Sequence, residues 1–391
     1  MKSIPLHEIA TIQQGYTFKP EYQGTGSGKW MYVKVRDINT LGNTKYITNT
    51  ENYVDDDVLE KMKAKPFSAG SIVFPRVGEA LKLNNKRILA KSCLTDDNVL
   101  IISVTNEAVC YPEFLYYWFE SIDLQRFCND GSVPVIGGKN LKNQTVSLPS
   151  LPDQIAIASL LSTWHLTIEK IERLTSVKEK LYSRALTEFF TRTARARVHV
   201  NTFAVEVTKR NSAAACQRVL SVTNRNGFVL PEEQFNRRVA SADLSNYKAV
   251  HRGQYAYNPS RINVGSIARL DSWDIGVLSP MYVVFKLNEK KVNSDYFLHW
   301  LESHEAKERI RKSAQGSVRE TVSFSEFSSI QLPLPTLKLQ DGIANYLNAQ
   351  CKEINLLNDY VEKLKLQKRG LMQKLLTGQW RVKTEEPGVT E

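Results

Sequence analysis

The histidines, acids and glycines of this chain approach several reactive patterns and complete none of them. His7-Glu8 and His304-Glu305 begin like the HExxH zinc motif, but Thr11 and Glu308 stand where the second imidazole belongs. Zinc therefore lacks its paired ligands on one helix face. His165, His199, His251 and His299 show no ligand spacing either. Gly28-Lys29 and Gly138-Lys139 lack the upstream glycine and the following Ser or Thr of a phosphate-binding loop. No catalytic residue, metal site or cofactor held by this chain is expected.

One partial match is informative. Tyr257-Asn258-Pro259-Ser260 starts like the Asn-Pro-Pro-aromatic loop that holds a flipped adenine in amino-methyltransferases. Ser260 replaces the second proline and Arg261 the aromatic ring, so the stacking surface is gone. No glycine-rich strand-to-helix turn for S-adenosylmethionine precedes it. The segment reads as a turn that presents Arg261.

Binding is better supported than catalysis. Several loops mix Arg or Lys with Asn, Ser and Gly, side chains that reach phosphates and base edges alike. In the first half these are Lys34 and Arg36, then Pro75-Arg76-Val77-Gly78, then Lys82, Asn84, Lys86 and Arg87. The second half offers Asn224-Arg225-Asn226-Gly227, Arg237-Arg238, Ser260-Arg261-Ile262-Asn263 and the stretch from Gln315 through Arg319. Any one cluster fits a solvated face equally well. Their recurrence at matching places, Arg76 with Arg261 above all, favours a binding role. Lysine and arginine number 52 against 41 acids, a net charge of +11, which also points to a polyanion.

The elements that carry these loops come in two copies. Pro112-Glu113-Phe114-Leu115-Tyr116-Tyr117-Trp118-Phe119-Glu120-Ser121 matches Ser294-Asp295-Tyr296-Phe297-Leu298-His299-Trp300-Leu301-Glu302-Ser303 at an offset of 182. Gly131-Ser132-Val133 answers Gly316-Ser317-Val318 at 185, and Leu148-Pro149 with Gln154 and Ile157-Ala158 answers Leu334-Pro335 with Gln340 and Ile343-Ala344 at 186. Lys178, Leu181 and Leu186-Thr187 answer Lys368, Leu371 and Leu376-Thr377 at 190. Upstream, Gly70 to Phe74 pairs more weakly with Gly253 to Tyr257, and Arg76 and Gly78 with Arg261 and Gly265. A repeat of this kind sets the architecture.

Each copy reads as an α+β domain followed by a long helix. Trp30 to Val35, Ile72 to Phe74, Val99 to Val104, Ile267 to Leu270 and Tyr282 to Leu287 are β-branched or aromatic runs that predict strands. One helix per domain is predicted, Pro112 to Cys128 and Ser294 to Lys312. In the second long helix, Ile343, Leu347, Gln350, Ile354, Leu357, Val361, Leu364, Lys368, Leu371 and Leu375 alternate steps of four and three, a heptad seam ended by Gly378. The first copy has Ile157, Leu160, Trp164, Ile168, Ile171, Leu174, Val177 and Leu181. Two apolar stripes must be buried, and packing them on each other as an antiparallel coiled coil does so; the alternative is that each stripe packs on its own domain. A pseudo-two-fold arrangement then sets two α/β domains at opposite ends of a rod of ~57 Å.

The 391-residue length suits two or three domains. We expect recognition domains over 1–150 and 198–335, spacer helices over 151–197 and 336–380, and a flexible tail over 381–391. A composition of 42% hydrophobic and 24% charged residues excludes a disordered chain. No apolar run suggests a membrane span or a secretory signal, so a cytoplasmic address and no membrane partner are expected. Cys93, Cys110, Cys128, Cys216 and Cys351 form no CxxC pair and read as reduced, mostly buried thiols.

On these residues the chain resembles the specificity subunits of type I restriction-modification enzymes. The duplicated Leu-Pro-x-x-x-x-Gln-x-x-Ile-Ala from Leu148 to Ala158 and Leu334 to Ala344 carries the resemblance, with the Lys-x-x-Leu-x-x-x-x-Leu-Thr exits at Lys178 to Thr187 and Lys368 to Thr377. The resemblance implies that each recognition domain reads one half of a split site in double-stranded DNA. It also implies that the helices act as a ruler and dock two modification subunits, with restriction subunits joining them. S-adenosylmethionine, ATP and Mg would then sit on those partners, in a complex that methylates adenine and cuts DNA. At ~3.4 Å per base pair the rod spans about 17 base pairs, enough to separate two half-sites. Two other readings stay open: a coiled-coil scaffold with nonspecific DNA binding, and a self-contained adenine methyltransferase.

Overall fold

Short β-branched runs bounded by Gly, Asn and Asp form the strands, and two long amphipathic stretches form the helices on which the rest is mounted. The computed structural model describes residues 1–40, 42–129, 131–192, 196–212, 215–231, 243–315 and 321–382. They form two units, Met1–Arg173 with Asp359–Glu391, and Leu174–Asn358. Both long helices are thus shared between the units, rather than each following its own domain.

In unit 1 the strands are β1 (Lys2–Pro5), β2 (Ala10–Gln14), β3 (Trp30–Val33), β4 (Tyr46–Ile47), β5 (Tyr53–Val54), β6 (Ile72–Pro75), β7 (Arg87–Leu89), β8 (Leu94–Thr95), β9 (Val99–Val104) and β10 (Thr145–Leu148). A five-stranded sheet has the order β2-β9-β6-β7-β4, antiparallel except for the parallel β4-β7 edge. Its central strands β6 and β9 are apolar on both faces because both faces are covered. A smaller sheet runs β5-β3-β8. β1 pairs with β10, Lys2 opposite Leu148, so the start and end of the domain are clasped together.

The aromatic helix of unit 1 runs over Pro112–Glu120 and buries Phe114, Leu115, Tyr116, Tyr117 and Phe119. It stops short of the expected Cys128: the chain turns and resumes as a 3-10 turn, Leu124–Phe127, where the Asp123 carboxylate accepts the Gln125 N–H at 3.0 Å. This core closes on Ile157, Ala158 and Leu161 of the first long helix and on Met372, Leu375 and Leu376 of the second.

Unit 2 contains β11 (Arg197–His199), β12 (Ala204–Glu206), β13 (Ser221–Thr223), β14 (Gly227–Val229), β15 (Lys248–His251), β16 (Tyr255–Tyr257), β17 (Ile267–Arg269), β18 (Ile275–Leu278), β19 (Val283–Leu287) and β20 (Gln331–Pro333). The main sheet, β12-β19-β16-β17, is antiparallel throughout. β11 pairs with β20 in a clasp like that of β1 with β10. The expected single helix is two, Ser294–Glu302 and His304–Gln315. Ser303 separates them, with extended backbone and its hydroxyl accepting the Ala306 N–H at 3.2 Å, a cap that starts the second helix. The core closes on Leu186, Phe190, Ile343, Ala344 and Leu347.

The long helices span Leu151–Thr187, followed by a π turn over Glu188–Arg192, and Leu337–Leu376. In the second, Ile343, Leu347, Ile354, Val361, Leu364 and Leu375 are buried, and Leu357 and Leu371 are half-buried. Gly378 follows with φ +75°, the left-handed conformation of a helix stop. In unit 1, Ile168 packs on Val361 and Leu364 with Trp164 and Ile171 alongside, and Glu172 pairs with Lys365 at 2.9 Å. Leu160 is half-buried nearby. In unit 2, Lys178 pairs with Glu353 at 2.8 Å and Phe189 meets Tyr346. Within each unit the helix segments therefore run antiparallel.

The first seam departs from the expected stripe after Ile171. Leu174, Val177 and Leu181 are exposed, and Thr175, Lys178, Tyr182 and Leu186 take the inward positions instead. A step of four after Ile171, where the apolar spacing suggested three, rotates the face. No helix among the described residues is long and apolar enough to cross a membrane.

Candidate nucleic-acid interface

The two arginines singled out by the repeat both sit on glycine-containing turns that follow a core strand. Arg76 follows β6, its backbone N–H bonded to the Asn98 carbonyl at 2.7 Å and its Nε to the Asp97 carbonyl at 3.3 Å. Two bonds brace the turn: Ile136 N–H to the Arg76 carbonyl at 2.9 Å, and Gly78 N–H to the Pro134 carbonyl at 2.9 Å. Gly78 has φ +83°, which only glycine adopts cheaply. The bracing strand lies just after Gly131-Ser132-Val133, which accounts for that motif's place in the repeat.

Arg261 lies beyond β16 in unit 2, after Asn258-Pro259-Ser260, on a more local turn. Its N–H bonds to the Asn258 carbonyl at 3.0 Å, its carbonyl accepts from Ser266 N–H at 3.1 Å, and Gly265 turns the chain at φ +94°. Val322 N–H, just beyond the second Gly-Ser-Val, bonds to the Pro259 carbonyl at 3.1 Å. Each strand end thus holds an arginine on a turn pinned by its neighbour, which removes backbone freedom before any ligand arrives.

Around Arg261 the structure gathers polar groups into a cleft of about 180 Å³ lined by Ser221, Thr223, Asn224, Asn258 and Ser266. A second cleft of about 390 Å³ brings Arg225 and Asn263 together with Asn224. Asn224, Arg225 and Asn226 are exposed at the tip of the β13-β14 hairpin, where Thr223 Oγ1 accepts the Asn226 N–H at 3.0 Å. The Asn-Gly pair makes this turn, with Gly227 at φ +59°. Asn258 and Ser266 were not among the residues expected to bind, because only the sheet brings them beside the hairpin. Arg237 and Arg319 lie outside the described residues.

In unit 1 several expected contacts belong instead to the fold. Lys86 is fully buried, its ammonium donating to the Ile122 carbonyl at 2.7 Å and to Asn84 Oδ1 at 2.8 Å. Burial pushes its pKa down to about 8. Asn84 sits at φ +55° and accepts the Leu124 N–H at 2.9 Å, and Arg87 donates to the Asn43 and Lys86 carbonyls. Lys86 and Asn84 hold the turn after the aromatic helix, and Arg87 holds the loop before β4. Lys34 bonds Gln23 at 2.9 Å and lies over the Phe18 ring, Arg36 pairs with Glu51, and Lys82 with Glu79 at 2.8 Å. Arg36 and Lys82 remain on the surface, where such pairs exchange readily for phosphate. A roomier cleft, about 560 Å³, lies in unit 1 between Glu120, His165, Lys365 and Lys368. Its mixed charge does not suit a polyanion.

Comparison with known proteins bears on these twin turns. Residues 1–179 match the family described as type I restriction modification DNA specificity domain. The putative type I restriction enzyme MjaX specificity subunit of Methanocaldococcus jannaschii is 23% identical over 410 residues, covering 96% of this chain and 92% of that one. The type I restriction-modification S subunit of M. genitalium superposes with a TM-score of 0.60 at 12% identity, over 96% of this chain and 95% of its own. A chain from a structure of type I R-M complex assembly and conformational transition gives 0.55 at 14% identity, over 96% and 97%. The fold of type I S subunits thus extends along this chain beyond the stretch matched by the specificity family.

Proposed function

We propose that this chain is the DNA sequence-specificity subunit of a type I restriction-modification complex. The carrying observation is the pair of braced turns: two related domains each hold an arginine at the end of a core strand, Arg76 and Arg261, on turns pinned before DNA arrives. Each domain reads one half of a bipartite site in double-stranded DNA. The two long helices, 37 and 40 residues, form an antiparallel coiled coil that sets the spacer, with the domains related by a pseudo-two-fold axis. At ~1.5 Å per residue each helix is ~56–60 Å long, the scale of a gap of several base pairs between two major-groove contacts.

The chain itself is a reader, and the chemistry falls to its partners. Two modification subunits dock on the helices and carry S-adenosylmethionine; restriction subunits bring ATP and Mg. Leu174, Val177 and Leu181, exposed on the first helix, give the modification subunit an apolar face to cover. The assembly works in the cytoplasm. Support comes from the family match, from the S-subunit fold and from the net charge of +11.

The test is methylation mapping by long-read sequencing in cells that express this chain with a cognate modification subunit, against cells without it. A split motif with methyladenine in each half is expected. No new motif, with the partner shown to be active, favours the scaffold reading; methylation by this chain alone favours the methyltransferase reading.

A further inference from the structure

Unit 2 gathers an imidazole, a carboxylate and a thiol where the sequence shows no metal spacing. His299 and Glu302 lie one turn apart on the helix Ser294–Glu302, and Cys351 comes from the second long helix. Their candidate ligand atoms all fall within 4.8 Å of one another. A tetrahedral zinc with bonds of ~2.0–2.3 Å wants its donors roughly 3.3–3.6 Å apart, so a shift of about 1 Å completes the set. Glu302 is exposed and Cys351 half-buried, so both have room to make that shift.

Two observations say that the site is arranged for a cation. The first is the tautomer of His299. Arg269 Nη1 donates to Asp295 Oδ1 at 2.6 Å, and Asn348 Nδ2 donates to Asp295 Oδ2 at 2.8 Å. The amide of Asn348 is thereby oriented with its Oδ1 toward His299 Nε2, at 2.8 Å, so Nε2 carries the proton. Nδ1 is left with its lone pair, which accepts the Tyr182 hydroxyl at 2.8 Å. Metal-bound imidazoles are held by an outer hydrogen bond of this kind.

The second is the convergence of the three groups on one hydroxyl. The Tyr182 hydroxyl meets both His299 Nδ1, at 2.8 Å, and a carboxylate oxygen of Glu302. Cys351 also bonds this hydroxyl, so all three candidate ligands surround one point. In unit 1 the repeat-equivalent carboxylate, Glu120, faces the Lys86 and Lys368 ammonium groups, and Lys368 also contacts His165, which stands where unit 2 has Cys351. The counterpart of Lys368 in unit 2 is Lys178, and it is turned to Glu353 at 2.8 Å. Unit 2 has therefore lost the cation of unit 1 and gained a thiol.

We propose that His299 Nδ1, Glu302 and Cys351 Sγ bind one zinc ion, which ties the aromatic helix to the long helix within unit 2. One imidazole, one carboxylate and one thiolate suit zinc, whereas Mg and Ca prefer oxygen ligands throughout. Binding expels the thiol proton to solvent and displaces the Tyr182 hydroxyl from between the ligands, leaving a thiolate–zinc bond and an open fourth position. This departs from the expectation that the chain holds no metal, and it stands independently of what the chain reads.

The untagged full-length chain is stripped with chelator, given zinc, passed through gel filtration and assayed for bound metal. About one zinc per chain is expected to remain, and Co2+ in its place is expected to give a near-ultraviolet thiolate charge-transfer band. Cys351→Ser should abolish both signals, and Cys128→Ser, a change in the other unit, should keep both. Asn348→Ala, which touches no metal, should weaken zinc binding roughly 10- to 100-fold by freeing the imidazole. Should Cys351→Ser fail to fold, Glu302→Gln at the exposed ligand is the substitute and should weaken retention. Zinc washed out of the wild-type chain, or held equally by wild type and the ligand variant, overturns the proposal.

Discussion

Gln154 and Gln340 make the same three hydrogen bonds. Gln154 Oε1 accepts the Tyr111 N–H at 2.8 Å, and its Nε2 donates to the Val109 and Pro149 carbonyls at 3.0 and 3.1 Å. Gln340 Oε1 accepts the Asn293 N–H at 2.8 Å, and its Nε2 donates to the Lys291 and Pro335 carbonyls at 3.3 and 2.8 Å. Both glutamines are buried, and each bolts a long helix to the start of the neighbouring aromatic helix. The glutamine in the repeated Leu-Pro-x-x-x-x-Gln motif therefore has a physical role: it satisfies a loop backbone that water cannot reach.

Gln154→Leu and Gln340→Leu should each destabilise the chain by about 2–4 kcal/mol, since a backbone N–H and two carbonyls lose their partner. Urea denaturation followed by tryptophan fluorescence measures this. A loss below about 0.5 kcal/mol in both variants would show that solvent replaces the amide.

Arg76→Ala and Arg261→Ala should each weaken a different half-site, by about 1–3 kcal/mol for a lost base contact. Binding to DNA with one half scrambled at a time separates the two. A uniform loss for every sequence would identify phosphate contacts instead.

A turn of four residues inserted in both long helices should lengthen the spacer by about 6 Å, close to two base pairs, and leave both half-sites unchanged. The insertions belong between Glu172 and Lys178 in one helix and between Glu353 and Lys365 in the other, so that both ion pairs survive. An insertion near Val177 in one helix alone would displace one seam against the other. Methylation mapping gives the spacer directly, and an unchanged gap rules out the ruler.

Leu174→Ser with Leu181→Ser should leave the melting temperature within a few degrees of wild type, because both side chains are already exposed. The pair should nevertheless reduce co-purification of the modification subunit. Full recovery of the complex would place the docking face elsewhere.

Lys86 gives a pH signature. Its folded-state pKa of about 8 lies below the ~10.4 of an unfolded lysine, so between those values the unfolded chain holds more protons. Stability should therefore rise with pH from about 8 to 10, by up to roughly 3 kcal/mol, and the penalty is complete below pH 8. In Lys86→Met this rise should vanish, with little change in DNA affinity. Denaturation midpoints of both proteins at pH 7, 8, 9 and 10 test it, and parallel curves would contradict the buried ammonium.

Much of this architecture is legible without coordinates. The apolar stripe from Ile343 to Leu375 faces inward because its residues keep heptad spacing while charges fill the other face. Arg76 and Arg261 could be paired because the glycines that shape their turns, Gly78 and Gly265, recur with them. Lys86 misleads because the Ile122 carbonyl that receives it is 36 residues away, and nothing local marks a lysine as buried. Leu174 misleads because Leu174 and Thr175 both continue a helical stripe from Ile171, and only the facing helix decides between them. His299, Glu302 and Cys351 were invisible as a group, since two helices bring them together.

The division of the chain into units also constrains how it is made. Unit 1 begins at Met1, yet Met372, Leu375 and Leu376 fill part of its core. Unit 2 has all of its pieces once residue 358 has been synthesised. During translation the second-encoded domain can thus finish folding first, while the first waits with an unfilled groove for the final helical turns. A chain cut short before residue 371 would spare the domain nearest the break and damage the one made earliest.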